Sequence, residues 1–222
     1  MDFQFFAFPM SDLPFILLVV IIAFTLHEFA HAYFADKFGD PTPRAMGRVT
    51  LHPVVHLDLL GMILLLIAGF GWAKPVLVNR SYFKKPRLMS IIVSAAGPLS
   101  NLLLAFVGTL ILLVSLRFGL SDSVSTGVYA AITKVLQYMI QLNLVLLIFN
   151  LIPIPPLDGY RIGMELLPRR WKAEVIRQEH WGVVIFLCLA FIPPLNRLIL
   201  QPLFGLSSDI FVGMHWLIRL FV

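Results

Sequence analysis

The 222-residue sequence has few charged residues and a single cysteine. Only 13% of its residues are charged and 59% are hydrophobic, whereas soluble domains are close to half apolar and a quarter charged. Membrane passes of about 20 residues each would use most of the chain and leave no room for a separate soluble domain. The isolated Cys188 excludes an internal disulfide and a cysteine-based zinc site. The composition therefore predicts an all-α polytopic membrane protein.

Lysine and arginine are absent from the first 36 positions. Residues 1–10 thus lack the positive start of a cleavable signal peptide, and we expect the segment after them to remain as a membrane helix. The chain has a net charge of +5, and most of its basic residues fall in three short stretches, 37–48, 74–87 and 161–177. This clustering indicates an orientation in the membrane rather than nucleic-acid binding.

Long apolar runs alternate with polar or proline-rich breaks, without a tandem repeat or a low-complexity segment. We interpret residues 1–222 as one membrane-embedded domain with a bundle of about four to six transmembrane helices. A run at 181–200, broken by two prolines, is expected to supply a fourth span, while crossings at 57–73 and 209–222 stay open. The predicted segments are a first helix at 13–35, a loop region at 38–87, core helices at 88–116 and 128–152, a proline-framed turn at 153–159 and C-terminal helices at 181–222.

The apolar run at 57–73 is short for a full membrane crossing. A full crossing would also separate the basic stretches 37–48 and 74–87, against the tendency of short cytoplasmic loops to hold the positive charge. We therefore predict a re-entrant segment that enters the membrane and returns. The flanking segments 48–51 and 76–79 have strand-like composition and predict a short membrane-associated β-ribbon.

An HExxH pattern lies in the first predicted helix, at His27, Glu28 and His31. On a helix the two histidines are one turn apart on the same face, where they can bind one zinc ion. Glu28 is beside them and can take a proton from a water molecule at the metal. Histidine and glutamate side chains are costly inside a membrane, so their presence there indicates a function. The alternative, that the two histidines only bond to carbonyl groups or line a water path, is the weaker interpretation.

A catalytic zinc site needs a third protein ligand. Glu28 points to the next face of the helix, and Asp36 also lies off the histidine face. Asp158 is more attractive, because it stands in a proline-framed turn after a membrane span and is followed by Gly159, which permits a tight turn. The other candidates that stay open are Asp40, His52, His56, Asp58 and Glu165.

Two motifs together resemble the site-2 protease family of intramembrane zinc metalloproteases. One is His-Glu-Phe-Ala-His at 27–31, and the other is Asn-Leu-Ile-Pro-Ile-Pro-Pro-Leu-Asp-Gly at 150–159. Gly-Pro-Leu-Ser-Asn at 97–101 resembles the family's signature in the intervening helix. Gly-Trp-Ala-Lys-Pro-Val at 71–76 resembles the short membrane-associated ribbon of the compact bacterial-type members without a PDZ domain. The chain departs from the pattern at Tyr160, where a glycine is common, and at a position usually held by proline, Leu59.

The resemblance implies one Zn²⁺ per chain, held by His27, His31 and Asp158, with Glu28 as the general base. It also implies that Asn150 contacts the substrate backbone or the developing oxyanion, although a helix C-cap is an alternative role. The implied activity is an intramembrane zinc endopeptidase that cleaves within or near transmembrane segments of single-pass proteins in the lipid bilayer. A membrane metal transporter or a zinc-binding scaffold without proteolysis is the alternative.

Other polar residues have weaker interpretations. We expect Asn101 and Asn143 to tie helices together by hydrogen bonds. His52 and His56 are four residues apart, but Pro53 between them disfavours a regular helix, so a loop or accessory role is preferred over a second metal. The sequence does not determine the oligomeric state.

The charge pattern also predicts sidedness. It predicts that the basic loops lie in the cytoplasm and that the N-terminus lies outside. The expected location of the protein is the cell (inner) membrane. His27 lies about nine residues from the cytoplasmic end of its helix, which corresponds to a depth of roughly 13 Å. We therefore expect the active site in the cytoplasmic half of the bilayer.

Overall fold

A computed structural model describes residues 8–221, apart from the side chains of Arg169 and Ala190. The expectation about a signal peptide falls mostly on residues outside this range. The described residues form helices and irregular segments without a β-sheet. Four helical stretches in this range are long and apolar enough to cross a membrane, namely Met10–Lys37, Pro86–Arg117, Thr126–Asn150 and Pro193–Arg219. The chain is therefore an all-α integral membrane protein.

The helices follow one another with short connections. The α-helices are α1 Leu13–Lys37, α2 Thr42–Ala45, α3 Leu59–Ala68, α4 Pro86–Arg117, α5 Leu120–Ser123, α6 Thr126–Asn150, α7 Asp158–Leu166, α8 Arg169–Arg177, α9 Glu179–Phe191, α10 Pro193–Leu195 and α11 Gln201–Arg219. Short 3₁₀ turns lie at Met10–Asp12, Pro53–Val55 and Arg80–Tyr82, and a π-helical turn lies at Asn196–Leu200. The three long helices α1, α4 and α6 begin and end within two residues of the predicted bounds.

The centre of the fold is the mutual packing of α1, α4 and α6. Ile16, Val20 and Phe24 on α1 form one buried cluster with Met62 and Leu65 on α3. A second cluster joins α4, α6 and α11, and its buried members are Ala105, Ile140, Leu144, Leu147 and Met214.

Helix α3 is followed by a chain reversal. Gly69 ends the helix in the left-handed conformation, with φ of 71°, where a glycine is favoured. The returning chain then packs closely on the helix, since a Cβ on Gly61 would lie 2.2 Å from the carbonyl oxygen of Trp72. An antiparallel bridge joins Leu57 and Ala73, so the two ends of this segment lie side by side.

The predicted ribbon between 48–51 and 76–79 is not present as a sheet among the described residues. The guanidinium of Arg48, rather than a neighbouring strand, donates to the carbonyl oxygen of Pro75, over 3.0 Å. Pro75 has no N–H to offer, and the N–H of Asn79 is taken by a carboxylate oxygen of Asp40. Side chains therefore occupy some of the backbone groups that pairing of these two segments would have used.

The C-terminal helices divide differently from the prediction. The apolar run at 181–200 was expected to cross as one broken span, but α9 has only 13 residues. The fourth stretch long enough to cross begins at Pro193 and ends at Arg219. Proline is well suited to the first turn of a helix, so the pair of prolines begins a new helical stretch here instead of interrupting an old one.

Candidate metal centre

Three polar side chains from distant parts of the chain meet in the interior. His27 and His31 project from α1, and Asp158 is the first residue of α7. The two histidine Nε2 atoms are 3.1 Å apart, and each lies 3.2 Å from Oδ2 of Asp158. All three side chains are buried. Within residues 8–221 this is the only group of three or more His, Cys, Asp or Glu side chains with metal-binding spacing.

The spacing of these three atoms fits a zinc ion. Tetrahedral ligands with bonds of about 2.0–2.1 Å lie roughly 3.3 Å from one another, close to the observed separations. Two imidazole nitrogens and one carboxylate oxygen are also a ligand set that zinc accepts at catalytic sites. The donors present therefore match the metal in both chemistry and geometry.

Each histidine is oriented through its second ring nitrogen. Nδ1 of His27 donates to Oδ1 of Asn101 over 2.8 Å, and Nδ1 of His31 donates to the carbonyl oxygen of Val93 over 2.7 Å. In a neutral imidazole, a protonated Nδ1 leaves the lone pair on Nε2, which here faces the centre. Such outer hydrogen bonds fix the tautomer and the ring orientation of metal-binding histidines.

Asn101 extends this support to a third helix. Its amide nitrogen donates to Oδ1 of Asn143 over 2.8 Å, and Asn143 in turn donates to the carbonyl oxygen of Met139. Both asparagines are fully buried. The predicted tie between helices is therefore present, but sequence reasoning missed its direct contact with His27. The available signal was an asparagine inside a membrane span, where an unpaired amide is costly.

Gly97 allows α4 to approach the histidines. A Cβ at this position would lie 2.3 Å from Nε2 of His31 and 2.6 Å from Cε1 of His27. No side chain can occupy that volume without displacing the candidate ligands. The glycine of the Gly-Pro motif is thus required by close packing against the centre.

The carboxylate of Asp158 is favoured in its charged form. Burial alone would raise its pKa, but the neighbouring His31 and His27 outweigh this effect and hold the pKa below its ordinary value. Its position in the first turn of α7 adds the positive end of the helix dipole. Gly159 permits the tight entry into α7, because a Cβ there would lie 2.2 Å from the carbonyl oxygen of Leu151.

Glu28 is buried beside the histidines and is held by the loop region. Its Oε2 accepts the backbone N–H of Val76 over 3.0 Å. Val76 belongs to the irregular segment 74–79, which is itself anchored at both ends. The N–H of Lys74 donates to the carbonyl oxygen of His56 over 2.8 Å, and the buried Asp40 accepts the N–H of residue 79 over 2.6 Å.

The two loop histidines do not join the centre. His52 is exposed, whereas His56 is fully buried and donates from Nε2 to the carbonyl oxygen of Thr50 over 2.7 Å. Burial, assisted by the charge of Arg48, lowers the pKa of His56 and favours its neutral form. The accessory role preferred for His56 therefore corresponds to support of the loop that anchors the segment 74–79.

The remaining acidic candidates have other partners. Asp36 pairs with Arg44 at 2.7 Å, and Asp58 caps α3 by accepting the N–H of Gly61 over 2.9 Å. Glu165 forms ion pairs with Arg80 and Lys172. These contacts account for carboxylates that the sequence left open as third ligands.

Asn150 ends α6 and is directed back along its own helix. Its amide nitrogen donates to the carbonyl oxygen of Leu146 over 2.9 Å. The side chain is only half-buried. In this arrangement Asn150 has no hydrogen bond to the three candidate ligands.

The helices and the buried centre define a membrane metalloprotease, and the chain belongs to peptidase family M50. The sequence model of this family matches residues 15–134 and 117–192. The resemblance to site-2 proteases is thereby confirmed, the alternative of a metal transporter or scaffold is not favoured, and the cofactor is Zn²⁺.

Individual relatives agree with this assignment. YwhC of Bacillus subtilis, whose name places it provisionally among the zinc metalloproteases, is 47% identical over 208 residues, covering 93% of each chain. Rip2 of Mycolicibacterium smegmatis, provisionally named in the same way, is 31% identical over 197 residues, or 85% of this chain and 72% of the relative. MJ0611 of Methanocaldococcus jannaschii is 29% identical over 162 residues, or 71% and 74%. No solved structure matches the chain.

Proposed function

We propose that His27, His31 and Asp158 hold one Zn²⁺ and that Glu28 is the general base of an intramembrane endopeptidase. The observation that carries this assignment is the mutual separation of the three ligand atoms, 3.1 to 3.2 Å, in a buried site. When bound, zinc supplies Lewis-acid activation of a water molecule and of the substrate carbonyl. The outer hydrogen bonds of both histidines keep their Nε2 lone pairs directed at the metal position.

Glu28 manages the proton in this proposal. Its carboxylate accepts the proton of the attacking water and then returns it to the amine that leaves when the peptide bond breaks. One carboxylate oxygen is held by the N–H of Val76, which fixes the orientation of the group.

The segment 74–79 beside Glu28 offers a place for substrate. Val76 uses its N–H on Glu28, and the next residue, Leu77, offers its backbone N–H and carbonyl oxygen for pairing. Among the described residues no hydrogen bond occupies those two groups of Leu77, and the residue is 61% exposed. A substrate that has unwound from its helix pairs with this edge as an added strand. The β-ribbon predicted for 76–79 would then form with substrate.

The role that we propose for Asn150 requires a change in its hydrogen bonding. We assign it to the substrate backbone or to the developing oxyanion, where an amide N–H is a suitable donor. Its half-exposed position at the end of α6 supports this role. The amide must then exchange its hydrogen bond to Leu146 for one to the substrate.

The proposed topology puts the metal in the cytoplasmic half of the cell (inner) membrane, with the N-terminus outside. The pairing of Leu57 with Ala73 supports a re-entrant course for the segment between them, because its two ends lie side by side. The basic stretches 37–48 and 74–87 then lie on one side, together with 161–177. In this topology, single-pass membrane proteins are the substrates that reach the site from the bilayer.

Cleavage of a membrane-embedded peptide tests the proposal. Purified protein is mixed in detergent with single-pass substrates, and products are located by mass spectrometry. The wild type is expected to cut within or near the transmembrane segment, and Glu28→Gln is expected to keep its zinc but lose cleavage. Equal cleavage by Glu28→Gln would contradict the role of this residue.

A further inference from the structure

Two cavities meet at one wall next to the metal centre. The first, of about 340 Å³, lies between the segment 76–78, the start of α4 and helix α7. The second, of about 550 Å³, lies between the turn at 153–155 and helices α7, α8 and α9. Three side chains line both cavities and form the wall between them, namely Tyr160, Met164 and Glu179.

The first cavity borders the proposed reaction site on two sides. Val76, in its lining, donates to Glu28, and Val93, on the opposite side, accepts from His31. Leu77, whose backbone is the proposed pairing edge, also lines it. The first cavity thus lies against residues that hold Glu28 and His31, and in the proposed function it receives a substrate side chain next to the scissile bond.

The second cavity is mainly apolar. Pro153, Ile154, Pro155 and Ile185 contribute to its lining. Gly182 closes one side, since a Cβ there would lie 2.5 Å from Cδ of the Pro155 ring. This space has the chemistry to receive an aromatic or long apolar side chain, but the shared wall separates it from the metal centre.

Tyr160 is the member of the wall nearest to the candidate ligands in sequence, two residues after Asp158. Burial, with the neighbouring Glu179, raises the pKa of the phenol, which stays neutral. The ring is partly buried on α7 and projects where a glycine would leave open space. This position is also one at which the chain departs from the motif pattern, so the wall is a feature of this sequence.

We propose that Tyr160 determines the size of the substrate side chain accepted next to the scissile bond. Its ring closes the first cavity and keeps large side chains out of the second. This inference rests on the proposed peptidase function and adds a specificity determinant to it. Removal of the ring joins the two cavities and admits a bulky residue without a change in the metal ligands.

The test compares one single-pass substrate with Ala, Leu, Phe or Trp at the residue next to the cleaved bond. Tyr160→Ala removes the ring, and Tyr160→Phe keeps it without the hydroxyl. We expect Tyr160→Ala to raise the Trp-to-Ala ratio of kcat/KM by about 10-fold or more, as filling of an opened apolar pocket permits. Tyr160→Phe is expected to keep the wild-type ratio within about twofold.

A binding measurement separates recognition from turnover. In the Glu28→Gln background, fluorescence anisotropy gives the Kd of the same four substrates. The Trp-to-Ala preference should shift in the same direction on addition of Tyr160→Ala. Met164→Ala also opens the wall, at a position farther from Asp158 in sequence. This variant replaces Tyr160→Ala in the test if Tyr160→Ala loses zinc or fails to fold.

The outcomes distinguish the two proposals. If the wild type cleaves none of the substrates, the proposed function is wrong and the inference falls with it. If the wild type cleaves but neither wall variant changes the Trp-to-Ala ratio, only the inference is overturned. An equal loss of kcat/KM for all four substrates also overturns the inference, because it would show that Tyr160 has only a structural role.

Discussion

The backbone N–H of Val76 donates to Oε2 of Glu28 over 3.0 Å, across 48 positions of sequence. The proposed base is therefore oriented by the segment that is also proposed to receive substrate. Binding and proton transfer share one structural element in this arrangement. A change in the segment should affect catalysis without removing the metal.

Val76→Pro removes the N–H that holds Glu28. We expect kcat to fall by about 10-fold or more, because a general base contributes only when it is correctly positioned. Zinc content should stay at the wild-type level. Val76→Ala, which keeps the N–H, is the matched control and should retain most of the rate. Equal kcat values for the proline and alanine variants would show that the hydrogen bond between Val76 and Glu28 does not contribute to catalysis.

Asn101→Ala is expected to weaken zinc binding by about 10- to 100-fold, since it deprives His27 of its orienting acceptor. Competition with a chelator of known affinity measures the change. Thr109→Ala, in the same helix, is the control, because Thr109 is buried and its hydroxyl donates to the carbonyl oxygen of Ala105 in its own helix. Zinc affinity that is the same in both variants would show that Asn101 serves helix packing alone.

Gly97→Ala should disrupt the metal centre by a steric clash with His31. The added Cβ would lie 2.3 Å from Nε2 of His31, too close to be relieved without movement of a helix or a ligand. Gly108→Ala on the same helix would place its Cβ 3.1 Å from Cγ1 of Ile140, where small adjustment suffices. We predict loss of bound zinc for the first variant and near-normal zinc for the second, as measured by elemental analysis. Full zinc content in Gly97→Ala would contradict the packing described.

His56 predicts a pH dependence of stability. Its folded pKa is lowered from 6.5 by burial, so the unfolded chain binds a proton before the folded chain does. This contribution is present above the unfolded pKa and is lost as the pH falls through about 6.5 toward the folded value. His56→Gln offers a donor toward Thr50 but does not titrate.

Thermal unfolding of the two proteins checks this sign. The Tm advantage of the wild type over His56→Gln should shrink between pH 8 and pH 5. A constant difference, or one that grows at low pH, would mean that the imidazole does not stay neutral in the folded loop.

Local patterns predicted a large part of the fold and of the site. The bounds of α1, α4 and α6 followed from apolar length, and the HExxH spacing predicted the facing of His27 and His31. The contact between His27 and Asn101 could not be predicted in this way, because it depends on how two helices are rotated against each other. Tertiary packing, rather than a local pattern, decides such contacts.

Two predicted features differ from the described structure, and the physical causes are of the same kind. Strand-like composition at 48–51 suggested a ribbon, but the side chain of Arg48 occupies the carbonyl oxygen of Pro75. At the C-terminal end, Pro193 begins a helical stretch instead of dividing one. Both outcomes depend on which neighbours fill the space, and sequence alone does not specify them.

The most direct test of the account is the zinc coordination of the purified protein. Elemental analysis and X-ray absorption at the zinc edge should give one Zn²⁺ per chain with two imidazole nitrogens and oxygen donors at about 2.0–2.1 Å. Glu28→Gln should keep this signature, and Asp158→Ala should lose the metal or show an altered shell. Unchanged zinc content and coordination in Asp158→Ala would contradict the three-residue centre.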